Sequence, residues 1–339
     1  MPNFTKKHTK LTICTILTLM ICNFSYGVNG HVSEHTPARN MVWNEKIERH
    51  IKFLSDSICQ GRATGTRGNT EAAFHIIRQF SKAGLMPFDS SYARHFYAGK
   101  GLVGHNIAGM IPGAKKYPRE KYIIIGAHYD HLGILSGNLY PGADANASGV
   151  VALTCIADMF SAMKTLGRSY NCSIIFVAFD GKEMNMTGSE SLWRSIENGD
   201  LTDPLSGKTI TPDQITLMVN LDQLGTTLAP LDKNRKDYLI MLGEHSLPQH
   251  RKGILNICNR LYSINFNIGL DYYGSEAFTK IFYGLSDQKV FAEHNIPAVM
   301  FTSGITMNTN RTRDTAETID SEILKQRIWL IYHWITKMM

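Results

Sequence analysis

IIFVAFDGKEMNMTGSE, residues 174–190, carries the change of pattern from which the fold is read. From Ile174 to Phe179 every side chain is apolar, and β-branched and aromatic residues dominate. A short unbroken run of this kind suits a strand buried on both faces. Asp180-Gly181 ends it, and GSESLWRSIEN (188–198) reads as a helix. The loop between them presents Lys182 and Glu183, a cation and an acid side by side just past the strand.

The same alternation extends in both directions. KYIIIGAH (121–128) has three consecutive isoleucines and predicts a second central strand, and NIAGMIPG (106–113) a third. ASGVVALTCIADMFSAMKTLG (147–167) is a strong helix, and QITLMVNLD (214–222), DYLIMLGE (237–244) and IPAVMFT (296–302) read as strands. SEILKQRIWLIYHWITKM (321–338) is an apolar-faced closing helix, and residues 247–262 look helical. Upstream, Ile47, Ile51 and Leu54 recur at helical spacing. Asn69 can cap a helix whose face is Ala72, Ala73, Ile76, Ile77 and Phe80, with Gly84 ending it. Strands alternating with helices predict a three-layer α/β/α sandwich over a mixed, mostly parallel central sheet, here one domain over residues 43–339.

The chain has 339 residues, 43% apolar and 19% charged, enough for a substantial core. Its net charge of +6 is spread out, with no Lys/Arg block, so no nucleic-acid partner is expected. The first 27 residues stand apart: Lys6, Lys7 and Lys10 precede the apolar run LTICTILTLMICNF (11–24). That run is short for a membrane span, so 1–27 reads as a signal peptide and the protein as secreted or periplasmic. Lipid anchoring at Cys22 is not expected, because Leu19-Met20-Ile21 are bulky where processing needs small residues. Residues 28–42 are polar and irregular and read as a flexible leader. No later run of 18 apolar residues occurs, so no stable membrane insertion is expected. Cys59, Cys155, Cys172 and Cys258 lack CxxC spacing, which argues against a zinc knuckle; Cys155 and Cys172 read as buried free thiols.

Acids and imidazoles gather at the ends of the strands. GAHYDHLG places His128 and Asp130 past one strand, PGADANASG places Asp144 before a helix, Glu183 follows Asp180, and Asp222 ends VNLDQLG. In open α/β sheets, sites form beyond the carboxyl ends of the strands. His, Asp and Glu together are donors that zinc accepts. Singly, each is as well explained as a turn former or helix cap; the set is more specific than its members.

Taken in order, GAHYDHLG, PGADANASG, FDGKEMNMTGS, VNLDQLG and SDQKVF…IPAVMFTSG…DT resemble the blocks of the co-catalytic zinc aminopeptidases of metallopeptidase clan MH, over roughly residues 45–335. That clan includes secreted bacterial aminopeptidases and carboxypeptidase relatives, and glutaminyl cyclases share its fold. The resemblance implies two zinc ions about 3.5–4 Å apart, one held by a His and an Asp, the other by a Glu and a second His. A shared Asp bridges them, and a neighbouring Glu handles the proton of the bridging water. It gives His128 and Asp222 to the first metal and Glu183 to the second, with Asp130 orienting His128. It also implies a cis peptide after the bridging position, here Ala145–Asn146, and peptide or protein N-termini as partners.

Against that pattern the chain departs at four positions. Where the family reads GADDNASG, the bridging acid is Ala145; the general-base Glu is Lys182; the distal His aligns with Asn310, with Arg311 and Arg313 beside it. A further histidine, from an SDH block, is Gln288. Loss of general-base action alone costs about 10²–10⁴ in rate. A lysine also opposes a metal: two unit charges ~4 Å apart at an effective dielectric near 20 interact by about 4 kcal/mol. The expectation is one weakly bound zinc or none, with the Lys182 ammonium standing in for the metal among Asp144, Glu183 and Asp222. Asp144, one residue from the missing bridge, is the candidate to replace it. Two readings follow: a pseudo-peptidase that keeps a peptide-binding cleft, and an active zinc aminopeptidase with a rearranged or single-metal site.

Overall fold

In the computed structural model, which describes residues 36–114 and 121–339, residues 174–190 form strand, loop and start of helix as read. The segment 1–27, read as a signal peptide, lies outside the described residues. The strands are β1 (Met86–Pro87), β2 (Ala93–Gly99), β3 (Leu102–Ile111), β4 (Tyr122–His128), β5 (Gly133–Leu135), β6 (Asn138–Tyr140), β7 (Ser173–Phe179), β8 (Ile215–Leu221), β9 (Tyr238–Leu242), β10 (Asn267–Gly269) and β11 (Ala298–Thr302). Nine of them make one sheet in the order β1-β3-β7-β4-β8-β11-β9-β10, with β2 also paired to β3. The centre, β7-β4-β8-β11, is parallel throughout. Antiparallel pairing enters on either side, at β3–β7 and β11–β9.

Alternation along the strands feeds two cores. Ile123, Ile125 and Ala127 of β4 pack on one face with α1 (Asn44–Ser55), α2 (Arg67–Lys82), α3 (Gly149–Thr165), α5 (Ile254–Leu261) and α8 (Ser321–Met338). Tyr122 and Ile124 pack on the other with α4 (Thr187–Glu197) and α7 (Gln288–Glu293). This is the three-layer α/β/α sandwich predicted from the alternation. All seven residues of β4 and all seven of β7 are buried, which explains their lack of polar interruption. The helix α6 (Glu276–Tyr283) has no buried residue and leaves Phe278 and Ile281 exposed.

Local differences have local causes. Thr66, not Asn69, caps α2, its side chain accepting the Asn69 N–H; Asn69 is buried one turn inside. The part of the 28–42 leader that is described departs from the irregular reading: Thr36–Arg39 is a helical turn, and Ala38 and Val42 are buried in the core. The Gly-rich stretch GILSGNLYPG (133–142) contains the β5–β6 hairpin. Its turn residues Ser136 and Gly137 both have positive φ, which a tight two-residue hairpin turn requires. The helical stretch 247–262 is a turn at Gln249–Arg251 and then α5, separated by Gly253 at φ 74°. Among the described residues one helix, Ala143–Thr165, is long and apolar enough to cross a membrane, but 83% of its window is buried inside the protein. Cys59, Cys155, Cys172 and Cys258 are buried free thiols.

Candidate functional site

The carboxyl ends of the parallel strands β4, β7 and β8 converge on one edge of the sheet. A cavity of about 110 Å³ opens there, lined in part by His128, Ala145, Lys182, Asp222 and Asn310. Three of the four positions at which the chain departs from its resemblance, Ala145, Lys182 and Asn310, therefore face the same space as two of the retained residues. The connection from β4 to α3 reaches the cavity through an irregular turn, Ala143–Ser148, in which Ala145–Asn146 is a cis peptide. Asn146 ties that turn down. Its amide donates to the carbonyls of Leu221 (2.9 Å) and His128 (3.3 Å), and its oxygen accepts from Gly149 (3.1 Å) and Gln223 (2.9 Å). One side chain thus fixes the ends of β4 and β8 and the start of α3.

His128 and Asp222 are the retained pair. The ring Nε2 and the carboxylate Oδ1 face each other at 3.4 Å, and both atoms are buried without a hydrogen bond. The other oxygen of Asp222 accepts from Ser286 (2.6 Å), whose hydroxyl in turn accepts from Asn220 (2.8 Å). Burial disfavours the imidazolium, but the Asp222 carboxylate and then Asp130 outweigh it and hold the His128 pKa up to about 10. For Asp222, burial pushes the other way, and His128 and Lys182 pull its carboxyl well below the usual range.

Asp130 acts differently from the role the resemblance implies. His128 Nδ1 donates to the main-chain oxygen of Asp130 at 3.0 Å, while the Asp130 carboxylate lies 3.7 Å away. That carboxylate accepts the backbone N–H groups of Lys182 (3.0 Å) and Glu183 (2.9 Å), so it positions the β7–α4 loop. Lys182 Nζ then donates to Glu183 Oε1 at 2.9 Å, with the two side chains 20% and 22% exposed. Burial opposes the ammonium; Asp222 and Glu183 overcome that and raise its pKa above the ordinary lysine value. Lys182 thus supplies a cation to acids gathered at the strand ends.

Asp144 is not brought to the cavity, so it does not slip into the bridging position. Its carboxylate accepts from Gly225 N (2.6 Å), Ser148 Oγ (3.0 Å) and Thr226 Oγ1 (3.1 Å). The backbone N–H groups of Asp144 and Ala145 are taken by Asp314. Burial, then the Asp314 charge, push the Asp144 pKa up to about 7. Asp180 is likewise structural: it accepts from Thr64, Asn69, Gly181 and His105, fastening α2 and β3 to the end of β7.

The residues present do not fit a pair of zinc ions. His128 and Asp222 supply two donors where a catalytic zinc takes about three, and Glu183 is engaged by Lys182. Neither Ala145 nor Asn310 offers a bridging acid or an imidazole. Among the described residues, no three of His, Cys, Asp and Glu are grouped to hold a metal ion.

The opposite wall is not legible in the sequence. Tyr272, Phe282, Leu285, Met300 and Ile305 line the cavity, with Tyr272 stacked on Phe282 at 4.2 Å between ring centres. Tyr272 Oη accepts from Ile305 N at 2.5 Å, holding the loop after β11 against that wall. Ser286 is not singled out by the sequence either. It lies in the SDQ block, and its neighbour Gln288 drew attention only for the histidine it lacks.

Comparisons with known proteins agree with this architecture. The Legionella pneumophila LapA aminopeptidase superposes with a TM-score of 0.67 at 16% identity, over 91% of this chain and 75% of that one. A zinc aminopeptidase of Bacillus subtilis gives 0.64 at 14% identity, over 87% and 95%. A glutaminyl cyclase of Porphyromonas gingivalis gives 0.61 at 14%, over 88% and 99%. At these identities the likeness is one of fold. In sequence, the zinc-metalloprotease candidate TRE2 of Saccharomyces cerevisiae is 28% identical over 218 residues, 62% of this chain and 22% of that one. The human BOS complex subunit NCLN is 34% identical over 104 residues, 30% of this chain and 17% of that one. The chain spans about a fifth of the length of these curated relatives. The profile of Peptidase family M28, in which zinc is typical, matches residues 106–335, more than half of the 339. The chain belongs to Peptidase family M28.

Proposed function

We propose that this chain is a non-hydrolytic member of its family that binds peptides in the cavity at the strand ends. The observation that carries the reading is the convergence of Ala145, Lys182 and Asn310 on one cavity, with Lys182 Nζ 2.9 Å from Glu183. Those positions would have to bridge metals, move a proton and complete a ligand set; an alanine, a cation and an amide do none of these. The wall opposite is apolar, which suits it to receive a side chain. NCLN carries a name of complex membership rather than of hydrolysis, a role compatible with binding alone. Export through residues 1–27 places the protein outside the cytoplasm in this reading.

A second reading, a single-metal aminopeptidase, is favoured by one observation: His128 Nε2 and Asp222 Oδ1 are buried, make no hydrogen bond and lie 3.4 Å apart. The test is hydrolysis of aminoacyl p-nitroanilides by the purified chain with and without added zinc, alongside peptide binding. No turnover with measurable binding supports the first reading. Zinc-dependent turnover abolished by Asp222→Asn supports the second and refutes the first.

A further inference from the structure

We infer that the cavity accepts an apolar side chain from a peptide whose end is uncharged, an N-acylated terminus or an internal segment, and rejects a free N-terminal ammonium. This rests on the peptide-cleft reading and names its ligand class.

The size argument comes first. A cavity of about 110 Å³ is well below the ~300–1,000 Å³ of pockets that take whole small molecules. It has room for a side chain, not for a metabolite. Its wall of Tyr272, Phe282, Leu285, Met300 and Ile305 selects an apolar one. Phe278, stacked parallel to Phe282 at 6.2 Å, is 56% exposed and continues the apolar surface outward on α6.

Electrostatics decide what accompanies that side chain. A free N-terminus is an ammonium, and burying it requires a carboxylate partner. Three of the nearby carboxylates already hold partners, and Asp287, buried and outside the cavity lining, accepts from Ser189. Glu183 accepts from the Lys182 ammonium, Asp222 from Ser286 while facing His128, and Asp130 from two backbone N–H groups. Lys182 occupies the place among these acids that a ligand ammonium would need. Beside the lining residue Asn310, Arg311 and Arg313 are both exposed and add positive charge at the rim. An amine entering here meets like charge beside acids that already hold partners.

A neutral carbonyl meets the reverse. An ammonium has three donors, and Lys182 places one on Glu183. The others can donate to an acyl or peptide carbonyl oxygen, as charge-assisted hydrogen bonds. The cation that excludes an amine is therefore a receptor for the amide that replaces it.

The experiment compares leucyl-alanyl-alanine amide with its N-acetyl form, binding to the full chain measured by isothermal titration calorimetry at pH 7. The parent protein is expected to bind the acetylated peptide at least ~10-fold more tightly, about 1.4 kcal/mol. Lys182→Met should erase or reverse the preference, and Lys182→Arg, which keeps the cation, should retain it. Equal or tighter binding of the free amine by the parent overturns the inference and leaves the peptide-cleft reading standing. An unchanged preference in a folded Lys182→Met protein also overturns it. Binding of neither peptide removes the peptide-cleft reading, and the inference with it.

Discussion

Replacing Lys182 by methionine should produce a protein that zinc stabilises, where the parent should respond little. The side-chain stem is preserved and the ammonium is lost. Lys182 Nζ lies 2.9 Å from Glu183, with the two side chains 20% and 22% exposed. Breaking a fully buried pair costs about 3–5 kcal/mol and an exposed one about 0–1. This intermediate case should cost about 2 kcal/mol, because Glu183 loses its cation and Asp222 one of its positive neighbours. At roughly 2 °C per kcal/mol for a chain of this size, the midpoint should fall by about 4 °C. The same change frees Glu183 to join His128 and Asp222, giving the three donors a zinc site needs. Zinc at 100 times its Kd contributes about 2.7 kcal/mol, which would restore the midpoint or exceed it slightly. Differential scanning calorimetry on chelator-dialysed parent and variant, with and without zinc, makes the comparison. The parent should shift by less than about 1 °C on the same scale. The reasoning fails if zinc stabilises the parent as much as the variant, or if the variant loses no stability without zinc.

Restoring Ala145→Asp, Lys182→Glu and Asn310→His together should produce stoichiometric zinc binding by metal analysis; a folded triple variant that stays metal-free would show that these are not the positions that matter. Asn146→Ala removes four hydrogen bonds that join β4, β8 and α3, and should lower stability in urea by about 3–5 kcal/mol from unpaired buried groups. His50 and His75, 2.9 Å apart in the core, give an acid-side dependence. Burial and then Arg49 hold the His50 pKa down to about 4; burial and then His50 hold His75 down to about 3. The unfolded rings, near 6.5, bind protons that the folded pair refuses, so stability present above pH 6.5 is lost as pH falls toward 4. Between pH 7 and 5 each ring should cost about 2 kcal/mol, and His75→Gln should recover about that amount in urea titrations at the two pH values. The raised carboxyl of Asp144 works in the opposite direction and is common to both proteins.

What the sequence made legible was what one residue type can signal alone. The isoleucine run of β4 and the apolar run of β7 announced strands because strands buried on both faces leave no alternative. The retained and replaced residues around His128 were legible because short blocks sit at fixed places on strand ends. The apolar wall is hidden because it is assembled from α6 and the segments flanking it, β11 and the loop after it, separated in sequence and joined only by packing. Asp144 stays off the bridging position because adjacent residues point different ways: Ala145 faces the cavity, while Asp144 is fastened to Gly225 and Thr226. The main-chain roles of Asp130 and Asn146 depend on which backbone groups come within reach, and side-chain chemistry does not show that.

The most direct test is the metal content of the full-length protein after purification in zinc-supplemented medium, measured by inductively coupled plasma mass spectrometry. A dinuclear centre in which Lys182 has replaced the metal's charge predicts well under one zinc per chain in a folded protein. Two tightly held zinc ions per chain, retained through dialysis, would contradict it.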